Sequence, residues 1–461
     1  MEHKYLVAIE IGSSKIKGAV GAIDESGTLK VCAIEERNLV DCVRYGCIQN
    51  VEEVKACVAD IISAIESRAN IAPCKVKGVY VALGGRSMMS YKRDIEKNFD
   101  DEVEITSEII NQLLDDSRLD EPEDKTIVSI EPMGFTVDNM THQTPIGTYG
   151  HNLKASLNII ACRPQIEKNI NRVIEERLQL DTNGFIVRQV ALSQLVLTAE
   201  EKKLGCVLVD FGAETTTVSI HKNNALQYLV TIPMGSRNIT RDIASLGITE
   251  ESAEQLKRKY ANANPQETVG QGGRSSYIEN VDDVVFNNYV QHRAGEIAFN
   301  VASQIKQAGF KASDLTGGIV VVGQGAKLQG FNSVLEFHCS LKARNGLIST
   351  MVHITDGSIQ PGDALDVIAI LLAASKDSKA ISCLEGINYQ QPEPVITIEE
   401  KNDTQDNINR ITSDFDDDIL NEENEKSEEI KKPSKMGKAK SILERVKNTL
   451  TDYLKEDGYE E

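Results

Sequence analysis

Two short segments, Glu10-Ile11-Gly12-Ser13-Ser14-Lys15 and Asp210-Phe211-Gly212-Ala213-Glu214-Thr215-Thr216-Thr217, stand about 200 residues apart, and each joins two apolar runs. Tyr5-Leu6-Val7-Ala8-Ile9 leads into the first and Ile16 to Val20 follows it; Val207-Leu208-Val209 and Val218-Ser219-Ile220 flank the second. Each reads as strand, tight turn, strand. Gly12 and Gly212 bring backbone freedom and bare N–H groups to the turns, and the hydroxyls of Ser13, Ser14, Thr215 and Thr216 add donors. A single copy describes an ordinary hairpin. Two copies, each opening a duplicated half of the chain, describe two jaws for a nucleotide phosphate tail. Lys15 sits beside the first jaw, and the carboxylates of Glu10 and Asp210 at the strand ends are expected to hold Mg²⁺, mostly through water.

A chain of 461 residues has room for two core-bearing domains. Strand-like runs at 5–11, 16–22, 29–34 and 77–83 alternate with helical patterns such as Val54, Val58, Ile61, Ile62 and Ile65, which predicts a mixed α/β architecture. Between residues 84 and 163 the texture changes: short strands at Ile127–Ile130, Gly134–Val137 and Leu157–Ala161 surround a polar helix over Ser107–Arg118, the pattern of an inserted subdomain. The formal charge of −20 argues against nucleic acid as a partner, since neutralising phosphates needs a basic surface. Nine cysteines, without a C-x-x-C pair, read as reduced thiols rather than a disulfide or zinc framework. Met1-Glu2-His3-Lys4 runs straight into a strand and no apolar run approaches the length of a membrane span, so neither a secretion signal nor a spanning helix is expected.

A third turn follows the strand Ile319-Val320-Val321-Val322 at Gly323-Gln324-Gly325-Ala326, where glycines would let the backbone lie against a flat adenine or ribose. Glu254 and Lys257, three residues apart on an expected helix, share a face and are candidates to grip the ribose and adenine edges.

In order and spacing, the two hairpins and the adenosine turn resemble the actin, Hsp70 and sugar-kinase fold. Three stretches single out the FtsA family of bacterial cell-division actins: Val207–Thr217 continuing through Ile232-Pro233-Met234-Gly235-Ser236-Arg237; Ala253-Glu254-Gln255-Leu256-Lys257; and, inside the insertion, Glu131-Pro132-Met133-Gly134-Phe135-Thr136-Val137-Asp138. The resemblance spans about residues 5–385. It implies an actin-like two-domain fold with a first domain over 1–195, carrying the insertion at 84–163, and a second over 196–385 with an upper subdomain at 236–315. It also implies ATP with Mg²⁺ in the cleft, Gly235 among the contacts, self-association into protofilaments, and FtsZ with other divisome proteins as partners. Glu10 stands where Asp is usual, Gln324 where a glycine is common, and Gln189-Val190-Ala191 where Glu-Pro-Leu is usual. Gln189 resembles the glutamine with which actin orients the attacking water, so Gln189 and Asp210 are the catalytic candidates for a hydrolysis expected to be slow.

Past residue 385 the apolar periodicity stops. Between Glu399 and Glu429 there are 13 acids against Lys401, Arg410 and Lys426, a net charge of −10, and 386–430 is read as a disordered acidic linker. The sign then reverses: Lys431 to Lys455 holds eight basic residues and only Glu444 and Asp452. Ile442, Leu443, Val446, Leu450, Tyr453 and Leu454 share one helical face, so 431–461 is expected to be a basic amphipathic helix, a pattern that suits an anionic lipid surface or docking on a partner protein or on its own body; the resemblance implies the membrane, at its cytoplasmic face and at the division septum. A sugar- or acid-kinase-type phosphotransferase and an actin-like component of pilus assembly are the competing readings on the same fold.

Overall fold

The structure is a computed structural model that describes residues 4–386, apart from 24–27, 69–70, 119–123, 265–276, 279–280, 349–351, 356, 358–359 and 378. The linker beyond residue 386 and the amphipathic tail at 431–461 lie outside the described residues.

The two hairpins form as the sequence indicates, and their pairing registers coincide at an offset of 200. Strand Tyr5–Ile11 pairs antiparallel with Lys15–Ile23, Leu6 opposite Gly21 and Ile11 opposite Ile16; Cys206–Phe211 pairs with Thr216–Lys222, Cys206 opposite His221 and Phe211 opposite Thr216. Each hairpin takes a parallel neighbour on its outer side, Gly78–Leu83 in the first half and Ile319–Val322 in the second. Parallel strands require covered faces, and their sequences comply: Gly78–Leu83 and Ile319–Val322 are buried at every position.

The first-half sheet runs Asp181–Val187, Gly78–Leu83, Tyr5–Ile11, Lys15–Ile23, Leu29–Asn38, Val352–Ile354. Helix Val51–Glu66 packs on it through Val54, Val58, Ile61, Ile62 and Ile65, and starts where the Asn50 side chain accepts the Glu53 N–H. Its approach needs Gly18: a Cβ there would lie 2.3 Å from Ile61 Cγ2. Helix Leu365–Ser375 is apolar nearly all round and buried along its length, as a core helix must be. In the second half, helices Ser236–Ala244, Glu250–Tyr260 and Asp283–Gln307 share one core with the sheet through Ile239, Ile243, Leu256, Phe286 and Val290.

The insertion differs from its expected form. Instead of short strands it contains three long ones, Met89–Glu104, Thr126–Val137 and Tyr149–Cys162, with helix Ser107–Asp116 packed on one face through Leu113. Met89–Glu104 alternates a partly buried with an exposed face, carrying Tyr91, Ile95 and Phe99 inward, and its charged outer positions disguise it in the sequence. Through Met89 opposite Val230 it joins the second-half sheet, so that nine strands run continuously from the insertion to Ala343–Asn345.

Candidate functional site

Both turns face one cleft. Their backbones close identically, Gly12 N–H donating to Lys15 C=O and Gly212 N–H to Thr215 C=O, each at 2.9 Å. Glu10, Gly12, Ser13, Ser14, Lys15, Asp210, Gly212, Thr215 and Gly323, all singled out from the sequence, line a cleft of about 890 Å³ that opens to solvent. At Gly323 the backbone is left-handed, with φ +87°, and a side chain would collide with Asp210 Oδ1 and Phe211 O, so this turn admits only glycine.

The floor is charged, and its central residue is Arg188. Strand Asp181–Val187 delivers the chain to helix Arg188–Val196, whose first residue projects its guanidinium between the two acids: Nη1 lies 2.7 Å from Glu10 Oε1 and Nη2 lies 2.8 Å from Asp210 Oδ2. The first contact is an aligned hydrogen bond. The second is an ion pair off the N–H direction, which leaves Asp210 Oδ2 buried without a hydrogen bond. Lys17, opposite Glu10 in the hairpin, donates to Asp366 Oδ2 at 2.7 Å. Burial, reinforced by the Asp366 carboxylate and opposed by Arg188 and Lys17, pushes the Glu10 carboxyl up to about 7. Burial alone would lower the two cations; the carboxylates outweigh it and hold the pKa values of Lys17 and Arg188 above their ordinary ones.

Arg188 decides whether Mg²⁺ suits this donor set. The carboxylates assigned to the metal are already bridged by a guanidinium, so an ion ligated directly by both would have to displace it. As placed, the residues do not fit Mg²⁺ ligated directly by both Glu10 and Asp210; the hold through water expected from the sequence needs no such direct contact. The catalytic assignment of Gln189 is corrected. It is buried, its amide donating to Leu208 C=O at 3.0 Å and Ser219 Oγ at 2.9 Å, so it fastens the helix to the second-half strands and does not reach the cleft.

Six other expected contacts lie off the cleft lining. Thr216 Oγ1 donates to Met234 C=O at 2.8 Å, and Gly235 precedes helix Ser236–Ala244 with its N–H on Asn238 Oδ1. Glu254 and Lys257 share a face as expected, but grip each other at 2.6 Å, and Lys257 also donates to Thr240 Oγ1 and Ser236 C=O. Gly325 packs on Phe211, where a Cβ would meet the ring at 2.6 Å, and Ala326 joins the second-half core. Gln324 does line the cleft; its amide clips the turn to Asp363 C=O at 3.1 Å.

The second turn also carries Glu214, which the repeat did not single out. It is fully buried, accepts the Tyr45 N–H of the first half at 2.7 Å, and faces Arg237 at 3.2 Å and Arg44 and Arg241 at 3.4 Å. Arg237 adds Asp41 at 3.3 Å. The two halves are thus joined across the cleft by one carboxylate among three guanidiniums.

Two hairpins with parallel outer neighbours, duplicated about a cleft that both turns line, define the actin-like α/β class. The fold matches a solved PilM–PilN type IV pilus biogenesis complex at a TM-score of 0.56, with 15% identity over 80% of this chain and 97% of that one. Residues 207–361 match the family model "Cell division protein FtsA", and residues 85–161 match the model "SHS2 domain inserted in FTSA". The cell division protein FtsA of Porphyromonas gingivalis is 29% identical over 71% of this chain and 69% of its own length; that of Pseudomonas aeruginosa is 26% identical over 86% and 96%. The chain belongs to the FtsA family of cell-division proteins.

Proposed function

We infer that this chain binds ATP in the cleft and serves as an actin-like scaffold that polymerises and anchors FtsZ filaments to the cytoplasmic face of the membrane at the septum. The observation that carries the nucleotide reading is the pair of turns of equal geometry lining one cleft, with the hydroxyls of Ser13, Ser14 and Thr215 as donors to an anion while the glycine N–H groups close the turns. Family membership supports the division role and disfavours the sugar-kinase alternative. Among the described residues no helix is long and apolar enough to cross a membrane. Attachment is assigned to the basic amphipathic pattern of 431–461, where each basic residue near an anionic surface adds about 1 kcal/mol.

The test is co-sedimentation of the full chain with anionic vesicles and purified FtsZ. FtsZ is expected in the pellet only when this protein is present. A truncation ending at residue 430 is expected to remain in the supernatant, as is a Leu450→Glu variant, which puts a charge in the apolar stripe. Equal pelleting of truncated and full chains would assign the tail to protein docking instead. Filaments on a lipid monolayer with ATP test polymerisation, and a strictly monomeric protein there would remove that part of the reading.

A further inference from the structure

Arg188 is held from both halves: its guanidinium spans Glu10 of the first hairpin and Asp210 of the second, with Gly84 beside it. The side chain is mostly buried yet lines the cleft, on the floor beneath the two turns. A guanidinium carries five N–H donors in a fixed plane and stays protonated at every working pH. Only one of these makes an aligned hydrogen bond to the acids here, so the fork has donors to offer a phosphate oxygen.

The acids and cations of the floor are already paired, Lys17 with Asp366 and Arg188 with Glu10 and Asp210. A metal between Glu10 and Asp210 would have to evict the guanidinium from both acids.

We propose that Arg188 is a resident cation taking the place of a divalent metal, so that this cleft holds a nucleoside triphosphate without Mg²⁺. This rests on the nucleotide reading above. It makes Arg188 a phosphate-binding residue and gives Glu10 and Asp210 the work of positioning it. Arg188, always protonated, cannot accept a proton, and Gln189 lies off the cleft lining, so neither residue at the head of this helix activates a water there.

The experiment is titration calorimetry of the full chain with ATP in excess EDTA and again with Mg²⁺, for the wild type and for Arg188→Gln. The wild type should bind in both buffers with affinities within about threefold. Arg188→Gln should lose at least tenfold in EDTA and recover part of it when Mg²⁺ is added, because the freed acids can then take the ion. A tenfold or larger loss for the wild type in EDTA would overturn the proposal and leave the nucleotide site standing. So would an Arg188→Gln variant that binds like wild type in EDTA. Absence of ATP binding by the wild type in either buffer would instead remove the nucleotide reading and this inference with it. Should the variant fail to fold, the wild-type pair of titrations decides alone.

Discussion

The two hairpins share a backbone and differ in what their side chains do. Position for position at the offset of 200, Leu6 opposite Gly21 becomes Cys206 opposite His221, and Glu10 opposite Lys17 becomes Asp210 opposite Thr217. The first hairpin brings its own cation to the site. The second brings none: Thr217 bonds Thr231 at 3.1 Å, and Asp210 depends on Arg188 from the first half. In the turns the asymmetry reverses. Ser13 accepts the Gly46 N–H at 3.1 Å within its own half, whereas Glu214 reaches across the cleft to Tyr45. A duplicated frame thus becomes one site because each half lacks a charge that the other supplies.

Breaking that exchange at Glu214 should have the largest effect. Glu214→Ala would leave Arg237, Arg241 and Arg44 facing one another and the Tyr45 N–H unpaired. The expected loss is about 3 kcal/mol, at the low end for a broken buried pair because the guanidiniums are partly exposed. Thermal unfolding followed by circular dichroism measures it. Glu214→Gln, which still accepts from Tyr45, should lose less, and equal losses for the two variants would mean that the arginines gain nothing from the charge.

The next effect separates the hairpins at Gly21 and His221. His221 is buried, and desolvation, with Lys202 adding to it, pushes its pKa down to about 3. The unfolded chain binds this proton near pH 6.5 and the folded chain only near 3. The stabilisation of the neutral ring is therefore complete above pH 6.5 and lost as pH falls, at about 1.4 kcal/mol per unit, or roughly 3 kcal/mol at pH 4.5. His221→Leu should flatten that part of the stability profile between pH 7.5 and 4.5. The same acid-induced drop in both proteins would show that His221 is not its source.

What the sequence made legible was local. Continuous apolar runs ending at Gly12 and Gly212 announced the hairpins, and the spacing of Val54, Val58, Ile61 and Ile65 announced the helix that covers the first. The charges on the floor were less legible, because helical phase and tertiary packing decide which of them face the cleft. Arg188 and Gln189 are adjacent where a strand becomes a helix, and only the first turn of that helix determines that Arg188 points inward and Gln189 back into the core. Lys17 between Ile16 and Gly18, and Asp366 between Leu365 and Val367, did carry a signal: a lone charge in an apolar run must find a buried partner, and these two found each other. The nucleotide contacts expected from spacing and turn chemistry at Glu254, Lys257 and Gly325, and from family resemblance at Gly235, fall on residues whose groups are occupied in packing or pairing.

The smallest effect tests whether the two turns are interchangeable where they look most alike. At the offset of 200, Ser13 corresponds to Ala213, so Ser13→Ala makes the first turn copy the second at that position. The backbone closure from Gly12 to Lys15 does not involve the hydroxyl and should persist. What is lost is the acceptor for the Gly46 N–H, a single bond in a part-buried setting, with an expected cost of about 1 kcal/mol. Hydrogen exchange offers a local reading: the Gly46 amide should lose protection while Gly12 keeps it. Loss of protection at both would show that the serine holds the turn itself, and the likeness of the two turns would then have different causes in the two halves.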